Sequence, residues 1–108
     1  EAEAMAQVVA RALESFGGID VWINNVGVGA LGPFWDIPIE DHARVIDVNL
    51  KGLVYGAHAA IRQFRQQGAG TLVNIGSIDS EVPLAYQACY KASYGPHTSA
   101  HRLPGAVE

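Results

Sequence analysis

Between Glu40 and Gln67 the apolar positions Ile46, Leu50, Leu53, Val54, Ala57, Ile61 and Phe64 form one helical stripe, which Gly68 and Gly70 stop. The chain then enters Thr71–Ile75, an apolar run too short for a helix and rich in β-branched residues. An amphipathic helix leading straight into such a strand buries both apolar faces only by lying on a sheet. The pairing already occurs once upstream. Met5, Val8, Val9, Ala12, Leu13 and Phe16 recur at helical spacing, Gly17 and Gly18 supply a stop, and residues 19–24 read as a second strand. A further helix is expected from Ala85 to Tyr94, after Pro83. Strands separated by helices call for right-handed crossovers and a parallel sheet, with Thr71–Ile75 covered on both faces. Gly95 and Pro96 should end the last helix, and residues 95–108 show neither period. The expected organisation is therefore one α/β domain over 1–94 and a divergent tail over 95–108.

The remaining composition excludes several classes. At 108 residues, with 49% hydrophobic and 17% charged residues, the chain reads as one globular domain. A net charge of -4 argues against nucleic acid, whose phosphates require clusters of Lys and Arg. No apolar run approaches the ~18 residues of a membrane span, and the Glu-containing N-terminus lacks the basic and apolar regions of a signal peptide. Cys89 is the only cysteine, so no internal disulfide forms, which suits a cytoplasmic protein; Cys89 itself reads as a small buried residue. His97 and His101 have metal-ligand spacing, but Pro96 and Pro104 leave no helix to hold them, so no metal is expected. His42 and His58 are expected on solvated helix faces.

Chemistry concentrates just past the second strand. Ser77 follows its carboxyl end, where open α/β sheets hold their ligands, and Tyr90 comes thirteen residues later at the start of a helix. A serine and a tyrosine converging on one carbonyl oxygen can bind it and pass it a proton while a hydride arrives from a cofactor. The arrangement resembles the short-chain dehydrogenase/reductase family, in which a serine after a strand is followed by Tyr-x-x-x-Lys. Two other stretches carry the same resemblance: Asn24-Asn25-Val26-Gly27 against Asn-Asn-Ala-Gly, and Asp47-Val48-Asn49-Leu50-Lys51-Gly52 against Val-Asn-x-x-Gly.

The resemblance covers about residues 1–94 and implies an incomplete doubly wound, Rossmann-like three-layer fold. It also implies an NAD(P)-dependent oxidoreductase acting on a small carbonyl or alcohol, with NAD or NADP as cofactor. Tyr90 would be the general acid or base, Ser77 would bond the same oxygen, and Asn49 would hold a water linking the site to solvent through the lysine. Asn24, Asn25 and Gly27 would face the cofactor, Gly27 by letting the loop pass close to its adenosine half. Asn49 is also legible without the family: an amide on the apolar face of a helix competes for backbone hydrogen bonds and needs a partner, which an adjacent loop could equally supply. The long helices would be those that pack across subunits in a homo-oligomer. A non-catalytic binding or oligomerisation module is the alternative.

One position departs from the family. Tyr94 stands where Tyr-x-x-x-Lys requires lysine, and Lys91, adjacent to Tyr90, would face elsewhere on a helix. Bringing a phenol from a pKa near ~10 to ~7 requires about 4 kcal/mol of preferential phenolate stabilisation, part of which that lysine would provide. In the family the cofactor's pyrophosphate rests on a Gly-rich turn that would lie before Glu1. Gly27-Val28-Gly29-Ala30-Leu31-Gly32 matches G-x-G-x-x-G, but Pro33 to Pro38 cannot open the helix that would hold phosphate. The expectation is an impaired, truncated chain that binds dinucleotide weakly or not at all. The substrate and the choice between NAD and NADP are not written in these residues.

Overall fold

The computed structural model describes residues 2–77 and 100–103. Its elements are α1 (Ala2–Phe16), β1 (Val21–Asn24), α2 (Ile39–Ile46), a π-helical turn (Asp47–Lys51), α3 (Gly52–Gln67), β2 (Gly70–Asn74) and β3 (Ala100–Leu103). The chain divides into two compact units, one of Glu1–Asn24, Val54–Val73 and Ala100–Glu108, the other of Asn25–Leu53 and Asn74–Ser99. The helix expected to begin near Ala85 lies outside the described residues.

The first unit carries the sheet, in the order β1-β2-β3. Parallel strands flanked by helices make it the incomplete Rossmann-like α/β fold that the element order implied. Thr71 N donates to Asp20 O at 3.0 Å where the strands meet. β3 was not foreseen. It pairs antiparallel with β2, Gly70 opposite Leu103 and Val73 opposite Ala100, so the described sheet has three strands rather than two. Ala-His-Arg-Leu has no apolar alternation; its strand character comes from the hydrogen-bonding edge that β2 offers, a tertiary effect that local pattern does not carry.

Ile19, Ala60, Phe64 and Leu72 form the buried core, with Val9, Ala12, Trp22, Ala57 and Ile61 packed against it. Leu72 is the one fully buried side chain of β2, so the strand is covered less completely than expected. Val21 and Ile23, alternate residues of β1, remain 53% and 58% exposed. On α1, Val9, Ala12 and Leu13 are half-buried, whereas Val8 and Phe16 are exposed, so the helix uses only part of its apolar stripe.

Both helix stops are those foreseen. Gly17 and Gly68 adopt φ of 79° and 94°, and their N–H groups close onto Leu13 O and Phe64 O at 2.8 Å, a left-handed ending that glycine adopts without Cβ strain. Gln67 then ties the end of α3 to the approach of β1. Its Oε1 accepts from Ile19 N at 3.2 Å, and its Nε2 donates to Ile19 O and, at 2.9 Å, to Ala69 O. One side chain thus satisfies both main-chain groups of a buried residue that would otherwise be costly to desolvate.

In the second unit, helical backbone starts after Pro38, whose carbonyl accepts from Asp41 N and His42 N at 3.0 and 3.3 Å. The helix expected to run unbroken from Glu40 widens at Asp47–Lys51 into a π turn centred on Asn49. Single π turns inside helices are frequent at functional sites. His42, expected on a solvated face, is buried instead. Its Nε2 lies 3.0 Å from Phe34 O and its ring stacks on that of Phe34, centroids 4.4 Å apart, which gives the imidazole both a polar and an apolar partner. A carbonyl can only accept, so Nε2 carries the proton in this contact.

Candidate active site

The loop leaving β1 and the π turn meet through one side chain. Asn49 is fully buried; its Oδ1 accepts from Val28 N at 2.8 Å and its Nδ2 donates to Val28 O at 2.9 Å. The two bonds fix the orientation of the carboxamide, because only the oxygen can face the amide N–H. They also show how a residue poor in a helix interior is accommodated: its polar groups replace a strand partner for the loop. This is the loop-bonded arrangement that the residue pattern left open beside a role in proton transfer. Val26 closes on the same turn, its methyls 3.9 Å from where a Cβ of Gly52 would stand.

Asn25 and Gly27 sit on this loop with exposed side-chain positions, and Gly27 precedes the clamped Val28 directly. Asn24, in the first unit, is buried, with its Oδ1 accepting from Trp22 Nε1 at 2.8 Å. A Cβ on Gly56 would overlap that Oδ1, so glycine at 56 is what lets α3 approach the end of β1. Ser77, half-buried, follows the last residue of β2 by three positions. Tyr90, Lys91, Tyr94 and Cys89 lie outside the described residues. No helix opens at Gly27–Gly32: Pro33 and Asp36 close a turn, and the next helix begins at Ile39.

Sequence reasoning named Asn49 but not its partner. Val28 acts through its main chain, so its side-chain identity carries no signal; the only clue was the cost of an amide inside an apolar stripe. Removing the clamp should be measurable. Asn49→Ala leaves the N–H and C=O of Val28 without these partners, and at about 1–3 kcal/mol per unsatisfied buried group a loss of roughly 2–4 kcal/mol is expected in urea unfolding. Exchange of the Val28 amide hydrogen should accelerate in parallel.

Residues 1–96 match the family described as short chain dehydrogenase. The chain is 40% identical over 83 residues to 3beta-hydroxysteroid dehydrogenase 1 of Eggerthella lenta, covering 76% of this chain and 32% of that protein. It is 36% identical over 90 residues to 2-(R)-hydroxypropyl-CoM dehydrogenase of Xanthobacter autotrophicus, covering 81% and 36%. Among solved structures, NAD+-bound xylitol dehydrogenase superposes with a TM-score of 0.82 at 34% identity, covering 88% of this chain and 37% of that one. A short chain dehydrogenase from Mycobacterium smegmatis gives 0.83 at 30% identity, covering 88% and 40%. The chain thus spans about a third of the length of these relatives. A family match over residues 1–96, with relatives at 36% and 40% identity, places the chain in the short-chain dehydrogenase family, to which it belongs.

Proposed function

We propose that this chain is the central part of an NAD(P)-dependent oxidoreductase that exchanges a hydride between nicotinamide and a small carbonyl or alcohol. Tyr90 is the proton donor or acceptor and Ser77 bonds the same substrate oxygen. Asn49 belongs to the proton path and holds the loop that carries Asn25 and Gly27 towards the cofactor, with Asn24 bracing the strand end behind it. The bound nicotinamide would supply or accept the hydride; the protein's part is to orient the oxygen and move its proton. The observation that carries the reading is the full burial of Asn49 in a π turn, with both amide groups locked onto the loop beyond β1. That is an expensive arrangement for a residue with no site to organise.

The described residues suit the adenosine side of a dinucleotide, where an exposed glycine permits close approach. They do not suit its pyrophosphate, because no helix N-terminus follows Gly27–Gly32. Calorimetry on the 108-residue chain is therefore expected to detect no micromolar binding of NAD(H) or NADP(H). The oxidoreductase reading is tested by nicotinamide absorbance with a panel of secondary alcohols and ketones, on this chain and on its Tyr94→Lys variant within a family-length protein. Substrate-dependent hydride transfer supports it, and its absence from every combination overturns it. Tyr94 itself favours a second reading, a non-catalytic module that retains the fold and associates through its helices; tight self-association without dinucleotide binding is its expected signature.

A further inference from the structure

Gln63 is a buried polar side chain of α3 whose hydrogen bonding is half complete. It is 8% exposed, and its Nε2 donates to Gln67 Oε1 at 3.0 Å. The orientation is forced. Gln67 Oε1 already accepts from Ile19 N, so Gln67 presents an oxygen to Gln63, and only the amide nitrogen of Gln63 can answer it. Gln63 Oε1 is thereby left over, and among the described residues no donor meets it. A buried carbonyl oxygen without a donor is costly and rare, and it calls for an explanation.

The explanation lies in what Gln63 lines. α1 and α3, both in the first unit, border an open cleft of about 560 Å³, within the range of small-molecule sites. Val9 and Leu13 of α1 and Ala59 of α3 give it an apolar wall beside Gln63. Its charged side chains are Glu3, His58 and Arg62. His58 and Arg62 stand one turn apart on the same face of α3, and among the described residues neither has an ion-pair partner. A ligand complementary to this lining has three parts: an apolar body for the aliphatic wall, a hydroxyl to donate to Gln63 Oε1, and a carboxylate for Arg62. A cationic ligand fits less well, because Glu3 is the single acid among the lining residues.

We propose that the cleft between α1 and α3 binds an apolar hydroxy acid, its hydroxyl donating to Gln63 Oε1 and its carboxylate pairing with Arg62. None of these residues is among those assigned to hydride transfer, so the proposal stands or falls apart from that reading.

Titration of the ¹⁵N-labelled chain with 3-hydroxydecanoate, followed by NMR, tests it. Saturable shifts are expected in the amides of α1 and α3 that line the cleft, with a Kd of about 1 mM or tighter for a ligand of this size. Decanoate, which lacks the hydroxyl, should bind the unaltered chain about fivefold more weakly, whereas Gln63→Leu should bind the two acids equally. Arg62 is exposed, so Arg62→Gln should keep the fold. It should weaken 3-hydroxydecanoate about threefold and leave the uncharged 1,3-decanediol unaffected. The ligand comparison and Arg62→Gln decide the matter even where Gln63→Leu, which also loses its bond to Gln67, does not fold. Shifts that are absent or fail to saturate, equal binding of decanoate and 3-hydroxydecanoate to the unaltered chain, or an indifferent Arg62→Gln overturns the proposal.

Discussion

Within a family-length protein, replacing Tyr94 by lysine is expected to raise hydride-transfer turnover by roughly 10²- to 10³-fold, within the range attributed to a positioned acid or base, and Tyr90→Phe should abolish the gain. If residues 90–94 are helical, as the sequence leads one to expect, position 94 would lie alongside Tyr90, one turn on. A cation about 4 Å from a phenolate at an effective dielectric near 20 gains at most on the order of 4 kcal/mol, so the lysine would supply a large part of the stabilisation that lowers a phenol from a pKa near ~10. Tyrosine at 94 supplies no charge. The double substitution is the deciding measurement: if the lysine acts by stabilising the Tyr90 phenolate, Tyr90→Phe/Tyr94→Lys should turn over no faster than Tyr90→Phe alone. An additive result would separate the lysine from the tyrosine and remove Tyr90 from the proton path. Ser77→Ala is expected to reduce turnover as well, and to leave the pH profile set by Tyr90 in place.

The second large effect is on stability. Gly70→Ala is expected to destabilise the chain by roughly 3 kcal/mol, because a Cβ at 70 would overlap Cγ, Cδ1 and Cε1 of Phe64, the most deeply buried large side chain of the core. Against a total stability of about 5–15 kcal/mol, that loss would remove roughly a fifth or more of the margin. Gly68 is the control. A Cβ there meets nothing within 4 Å, so only its positive φ opposes alanine, at about 1–2 kcal/mol. Urea unfolding should show the midpoint of Gly70→Ala falling further than that of Gly68→Ala with the slope unchanged. Phe64→Leu, placed beside Gly70→Ala, should recover part of the loss by vacating the overlapped ring carbons. A strictly additive double variant would show that the ring is not what opposes the methyl.

The two outcomes probe different levels of the protein, and the sequence informs them unequally. The reading at position 94 needs only the spacing from Ser77 to Tyr90 and the identity of one residue. The Gly70 effect is invisible in sequence, where Gly68, Ala69 and Gly70 look like one helix stop. Only the packed sheet shows that Gly68 is a conformational glycine and Gly70 a steric one. Gly56 makes the same point: it is where α3 passes the carboxamide of Asn24.

Legibility followed the range of the interactions. Helix, strand and stop signals at Gly17 and Gly68 depend on neighbours within a turn or two, so periodicity located β1, β2 and the ends of the helical stretch 39–67 to within two residues, but read that stretch as one unbroken helix. The family motifs are likewise local strings. The π turn at Asp47–Lys51 could not be read the same way, because it arises when Asn49 turns inward to bond Val28, twenty-one residues away. β3 depends on an edge that exists only once β2 is placed. His42 looked solvated because its sequence neighbours are charged, and it is buried because Phe34 folds back over it.

By itself, then, the sequence determined the order of elements, the helix endings and the family, since these follow from side-chain period, backbone freedom at glycine and contiguous motifs. Tertiary structure alone decided which amide partner Asn49 takes, which glycines are obligatory for space, and that Gln63 lines a cleft between α1 and α3. Those properties belong to pairs of residues distant in the chain, and no single stretch encodes the distance between them.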